Sequence, residues 1–167
     1  MYDLLVAALP AGYEGRTRYP FAEPSRPPIR IDSPPPATPV YIRANIEVVV
    51  SDGRGEGLLW AAVVDDGNPL PTGDLCALPD AGRDCRVIDV AGVPVRVNVE
   101  DDEVGGEVLI ARRYLHGGFL TVIAQRTVPE YGIGTPQRQP SLKPGLGAAF
   151  LGVEQLAAVA ANPAMLP

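Results

Sequence analysis

From residue 40 onward the chain alternates apolar and polar side chains with a period of two. Ile42, Ala44, Ile46, Val48 and Val50 alternate with Arg43, Asn45 and Glu47, which sets one row toward a core and the other toward water and predicts a strand. Ser51-Asp52-Gly53-Arg54-Gly55-Glu56-Gly57 reads as the following turn. Leu58 to Val64, with Trp60 inside it, is apolar on both rows, the pattern of a central strand covered on both faces, and Asp65-Asp66-Gly67-Asn68-Pro69 ends it. Arg86 to Val90 and Val93 to Val99 flank Ala91-Gly92 as a tight hairpin. In the second of these, Val93, Val95, Val97 and Val99 face one way and Arg96, Asn98 and Glu100 the other. Glu107 to Tyr114 and Phe119 to Arg126 form another hairpin about Leu115-His116-Gly117-Gly118. The short connections predict an antiparallel sheet of about six strands, a meander of hairpins.

The period changes at both ends. Leu4, Leu5, Ala8 and Leu9 share a helical face behind Asp3, whose carboxylate is placed to accept from the free amides of a first turn, and Pro10 and Gly12 stop that helix. Val153, Leu156, Val159 and Ala160 recur at helical spacing behind Gly152, with Gln155 positioned to reach back to the cap and Asn162-Pro163 closing the element. Between helices and sheet run two proline-rich straps. The first carries eight prolines from Pro20 to Pro39, which lack amide donors and favour extended polyproline backbone. The chain therefore reads as one α+β domain, 1–167. It comprises a helix over 1–12, a strap over 20–39, a sheet over 40–126, a strap over 128–144 and a helix over 151–162. Neither helix has the apolar area to be stable alone, so both are expected to dock on the sheet.

Composition narrows the class. A chain of this length buries about 70% of its unfolded surface, and 46% hydrophobic with 20% charged residues is a globular balance. A net charge of −6, with no cationic run longer than Arg112-Arg113, argues against nucleic acid as a partner. Lys143 is the one lysine among 14 cationic residues, a usage typical of GC-rich genomes. No stretch nears the roughly 18 to 20 apolar residues of a membrane span, so no membrane insertion is expected of these residues. The Leu4 to Leu9 run lacks the basic leader of a signal peptide, so an exported protein would carry its signal or anchor outside this sequence. Cys76 and Cys85 lie in a turn-rich stretch long enough to return on itself. A disulfide there would stabilise by about 2 to 3 kcal/mol and points to an extracytoplasmic setting.

Candidate chemistry is sparse, and no cofactor is expected. Gly53-Arg54-Gly55-Glu56-Gly57 invites comparison with a phosphate cradle, but a strand rather than a helix amino terminus follows it, so it reads as a hairpin turn. His116, the one histidine, sits at a hairpin tip, and Ser25, Ser33, Ser51 and Ser141 lie in straps or turns without a nucleophile-elbow context. Zinc would need four ligands. Asp101, Asp102 and Glu103 are the best candidates for weak calcium binding, although their spacing matches no preorganised loop. Tyr13, Tyr19 and Phe21 are aromatics in or beside the first strap, and with His116 they are candidate ligand or partner contacts.

Three phrases carry a resemblance: Leu9-Pro10-Ala11-Gly12-Tyr13 after the first helix, Val48-Val49-Val50-Ser51-Asp52-Gly53-Arg54-Gly55-Glu56-Gly57 in the first turn, and Leu151-Gly152-Val153-Glu154-Gln155-Leu156-Ala157-Ala158-Val159-Ala160 near the end. Together they resemble the extracytoplasmic portion of actinobacterial membrane-anchored or lipid-anchored proteins of unknown function. The resemblance implies an envelope-sensing role and supplies no catalytic residues. The expectation is a non-enzymatic extracytoplasmic binding or sensory domain whose partner is a protein or envelope component. Two other classes compete with it: a small hydrolase using acidic residues or His116, and a secreted ligand carrier with an apolar cavity between sheet and helices.

Overall fold

Alternating β-branched residues form strands where they are expected, and the computed structural model shows how the strands are ordered. It describes residues 1–18, 29–31, 40–101, 106–131, 138–139 and 144–167. Helix α1 (Tyr2–Ala7) leads into β1 (Glu14–Thr17), β2 (Ile29–Ile31), β3 (Val40–Ser51), β4 (Glu56–Asp65), β5 (Arg83–Val90), β6 (Val93–Asp101), β7 (Glu107–Leu115) and β8 (Gly118–Gln125). The short β9 (Glu130–Tyr131) and β10 (Arg138–Gln139) pair with each other, and α2 (Val153–Ala161) follows. The main sheet is antiparallel in the order β1-β3-β4-β8-β7-β6-β5, with β2 pairing along β3 as well. The fold is α+β, with slightly more strands than the hydrophobic pattern alone marks.

Strand β8 is the hinge of the topology. Instead of ending a meander at an edge, it returns between β7 and β4, matching Ala61 with Val122 and Ala111 with Val122. Gly118 makes this closure tight, since a Cβ there would sit 1.9 Å from the Val64 carbonyl oxygen.

One face of the sheet carries both helices. Leu59, Ala61, Val63, Val95, Val97, Ala111, Leu120 and Val122 form a single buried cluster with Leu5 of α1, Leu156, Ala157 and Ala160 of α2, and Leu146, Phe150 and Met165. Gln155 accepts from the Gly152 amide at 2.9 Å, as expected at the start of α2, and Arg113 donates to the Ala161 carbonyl at 3.0 Å at its end. A cation at a helix carboxyl terminus also complements the helix dipole. The Ala91-Gly92 turn has both residues at positive φ, 52° and 84°, the geometry that matches strand twist in a two-residue hairpin. In the β3–β4 turn, Asp52 Oδ1 accepts from the Arg54 and Gly55 amides, each at 2.8 Å, and these bonds hold the Asp52 carboxyl below its usual pKa of 3.8.

Several expectations are corrected. The first helix stops at Ala7 rather than filling 1–12, and Asp3 lies inside its first turn while the Met1 carbonyl accepts from Leu4 and Leu5. Strand β1 has no apolar alternation to announce it and exists because it pairs with the end of β3. Within β3 a bulge at Arg43 sets Ile42 opposite Val64 but Ala44 opposite Val63, so the single apolar row is split between faces. Of the strap over 20–39 only β2 (Ile29–Ile31) lies among the described residues, and of the strap over 128–144 only Val128 to Tyr131, Arg138–Gln139 and Pro144 are described.

Leu156→Ala should cost about 2 to 5 kcal/mol with an unchanged urea m-value, because it opens a cavity between α2 and the sheet. A loss under about 1 kcal/mol would mean that α2 is not docked. Because its folded pKa is lowered, Asp52 stabilises above the ordinary carboxylate pKa and loses that contribution as pH falls through the folded value. The melting-temperature gap between wild type and Asp52→Ala should therefore narrow below about pH 4, and a constant gap would contradict the assignment.

Candidate functional site

A buried guanidinium is costly unless paired, so it marks a place the fold has been built around. On the sheet face away from the helices, Arg96 of β6 is fully buried. Arg112 of β7 lies directly opposite with 19% of its side chain exposed, and Thr121 of β8 lies opposite Arg112 with 3% exposure. Tyr114 is two residues beyond Arg112 on the same face, and Asn98, 1% exposed, two beyond Arg96. The guanidinium carbon of Arg96 is 5.5 Å from the centre of the Tyr114 ring, and that of Arg112 is 5.0 Å from the centre of the Phe119 ring. Both lie within the range of cation–π attraction.

The roof over these residues is the connection from β4 to β5. Since β8, β7 and β6 lie between those strands, residues 66–82 must traverse the face. The Asp66 and Gly67 amides donate to the Gly117 carbonyl, and the Gly117 amide donates to Asn68, all at 3.1 Å. Asp74 caps a short 3-10 turn, Leu75–Ala77, by accepting from the Cys76 amide at 2.9 Å. Leu75 and Ala81 are the roof's own buried side chains. The Cys76–Cys85 disulfide, with 5.7 Å between Cα atoms, ties the roof to the bulged start of edge strand β5. Gly82 adopts φ +67°, and a Cβ there would lie 2.4 Å from Asn98 Nδ2, so glycine is needed for both conformation and approach.

Inside the ring that the disulfide closes, Asp80 turns down onto both arginines. Its Oδ1 accepts from Arg96 Nη1 at 2.9 Å and its Oδ2 from Arg96 Nη2 at 3.1 Å, while its carbonyl accepts from the same Nη2 at 3.0 Å. Oδ2 also pairs with Arg112 Nη1. Burial lowers the pKa of Arg96 below the ordinary guanidinium value, opposed by Tyr114 and Glu100, and lowers that of Arg112, opposed by Tyr114. Both guanidiniums stay cationic at neutral pH. Asp80 leaves much of the bonding capacity unused, for Arg96 Nε, Arg112 Nε, Tyr114 OH, Thr121 Oγ1 and Asn98 Oδ1 are buried without a hydrogen-bond partner. An unpaired buried polar group costs about 1 to 3 kcal/mol, so five in one neighbourhood are a substantial concession.

The residues singled out from the sequence are placed elsewhere. His116 is exposed at the β7–β8 turn, and among the described residues no carboxylate forms an ion pair with it. Asp101 Oδ1 pairs with Arg83 Nη2 at 2.5 Å, and Glu107 lies 3.9 Å from the same nitrogen, so both serve an ion pair. Asp102 and Glu103 lie outside the described residues, among which no three His, Cys, Asp or Glu side chains gather as a metal site. Tyr13 stacks at a tilt on Phe150, 6.0 Å between ring centres, and serves as packing against the core; Tyr19 and Phe21 lie outside the described residues. The amides that a phosphate would need in the glycine-rich turn are already bonded to Asp52 and Ser51.

Among the described residues, hollows lie on the helix side. One, about 260 Å³, is bounded by Leu109, Ala124, Phe150 and Val153 at the sheet end. The other is an open groove between Leu4, Ala7 and Ala8 of the first helical segment and Ala158, Val159 and Met165. Among the described residues no helix is long and apolar enough to cross a membrane. No family model, curated protein or solved structure matches the chain.

Replacing Cys76 and Cys85 together by serine should lower stability by about 2 to 3 kcal/mol, measured by chemical denaturation. A double-mutant cycle between Asp80 and Arg112 should also give a smaller coupling without the disulfide than with it. Equal couplings in both backgrounds would show that the ring does not position Asp80.

Proposed function

We propose that this chain is a non-enzymatic binding or sensory domain working outside the cytoplasm, attached to the actinobacterial envelope in its full-length form, with a protein or envelope component as its partner. The observation that carries the reading is the Asp80 roof: a disulfide-closed loop laid over two buried arginines with unused hydrogen-bonding groups around them. Disulfides persist in oxidising compartments, which supports the setting. Guanidiniums, hydroxyls and a side-chain amide hold a ligand well. Bond cleavage by general acid–base chemistry would need a base free to take a proton; Asp80, the acid at this site, is bonded to both guanidiniums, and the one histidine stands out on the β7–β8 turn.

The test is association with isolated actinobacterial cell envelopes. The folded, oxidised domain should sediment with them saturably, whereas the reduced and unfolded chain should not. Linear, unsaturable sedimentation equal for both forms would overturn the reading. Hydrolysis of ester, phosphoester or glycoside reporters that disappears in His116→Ala would reinstate the hydrolase.

A further inference from the structure

We propose that the Arg96–Arg112 pair is a binding site for a tetrahedral oxyanion, a phosphate or sulfate group, and that Asp80 is a tethered stand-in that keeps the site closed. The inference rests on reading the roofed face as the binding surface and adds the chemistry of what it binds.

Two features of the geometry lead there. First, the occupant of the site is already an oxyanion, held by two guanidiniums at once. One carboxylate receives both Nη atoms of Arg96 and one of Arg112, which is the bidentate, multi-arginine arrangement used for carboxylate and phosphate groups. Second, the occupant fits the donors incompletely. A carboxylate has two oxygens, and after both are used Arg96 Nε, Arg112 Nε and Thr121 Oγ1 remain buried and unbonded, with the Tyr114 hydroxyl close beside Arg112. These groups belong to one neighbourhood, since Arg96, Arg112 and Thr121 are successive cross-strand partners and Tyr114 acts electrostatically on both guanidiniums. An anion with four oxygens offers more acceptors than Asp80, and its charge faces both guanidiniums, with Glu100, which also acts on Arg96, held beside them by Asn98.

Access runs through the stand-in. Asp80 keeps 54% of its side chain exposed, while the arginines beneath keep 0% and 19%. When the carboxylate swings out, the vacated space lies between solvent and both guanidiniums. The fraction of time that Asp80 is in place reduces the apparent affinity for any competing anion by that same fraction.

The experiment is calorimetric titration of wild type and Asp80→Ala with inorganic phosphate, sulfate and acetate at constant ionic strength. Phosphate and sulfate should bind Asp80→Ala about tenfold or more tightly than wild type, as removal of a closed state populated about 90% of the time requires. Acetate should bind more weakly than either. Adding Arg112→Gln should abolish binding, while Arg54→Gln, in the exposed β3–β4 turn, should leave it intact. A folded Asp80→Ala that binds neither tetrahedral anion, acetate binding as tight as phosphate, or phosphate binding that survives Arg112→Gln would each overturn the proposal. If Asp80→Ala does not fold, melting of wild type decides. Phosphate should then raise the melting temperature above that in chloride of equal ionic strength, and an equal rise in Arg112→Gln would sink the site. Saturable envelope association combined with absent phosphate binding would reject the oxyanion and leave the proposed function standing; loss of both would reject the two together.

Discussion

Because β8 returns to lie between β7 and β4, the chain leaving β4 must cross an entire sheet face to begin β5, and that crossing creates everything distinctive about the molecule. A sheet with helices on one side can leave its other side wet, which is why alternation of apolar and polar residues normally suffices for an antiparallel sheet. Here the crossing loop roofs the polar row of the middle strands. Arg96 and Asn98, which alternate with Val95 and Val97, end as buried as the valines. The roof covers charged and apolar residues together, Arg96 and Arg112 beside Ala62, Val64 and Ile110, and it meets them through Asp80 and a few small anchors such as Leu75 and Ala81.

This explains what was legible in the sequence. Strands β3 to β8, the hairpins at Ala91-Gly92 and His116-Gly117, the cap on α2 and the cysteine pair all follow from local rules, and local rules are readable within a window of a few residues. The site is not local. Arg96 in Val95-Arg96-Val97-Asn98 has the signature of an outward-facing residue, and only the strand order turns that outward face inward. Asp80 stands in a Pro-Asp-Ala-Gly turn where an acid is unremarkable. Its meeting with residues 16 and 32 positions away depends on a crossover that no pattern of hydrophobicity encodes. One signal was available: the connection between β4 and β5 is far longer than a hairpin needs, and long connections in compact domains tend to be functional.

Stability alone gives little reason for such a cluster. Replacing a buried ion pair with apolar residues of similar volume is often neutral or stabilising, so Arg96, Arg112 and Asp80 are poor candidates for mere structural cement. The helix side of the same sheet shows what this chain does when packing is the only demand, filling the layer with Leu5, Leu59, Leu120, Leu146 and Leu156, all essentially unexposed. The arginine side also buries Ala62, Val64 and Ile110, and what sets it apart is that Arg96, Arg112 and Thr121 are buried among them, which supports the proposed recognition role. Tyr114 and Phe119 fit that reading, since an aromatic ring against a guanidinium supports it while leaving its edge nitrogens to meet Asp80 or an anion that replaces it.

The placing of the disulfide then acquires a physical purpose. A loop with so few apolar anchors would wander over the arginines, and tethering both ends of a short ring restricts Asp80 to their vicinity without burying it. The ring is fastened to β5, where a bulge and Asp84 at φ 50° already break the regular edge, so the cross-link also discourages pairing of that edge with another strand. A carboxylate held near two cations yet more than half in water surrenders little hydration on arriving and regains little on leaving. Exchange with a competing anion is therefore governed by the hydrogen bonds each can make. On that comparison a group with more oxygens gains from the unbonded Nε and hydroxyl groups that Asp80 passes over.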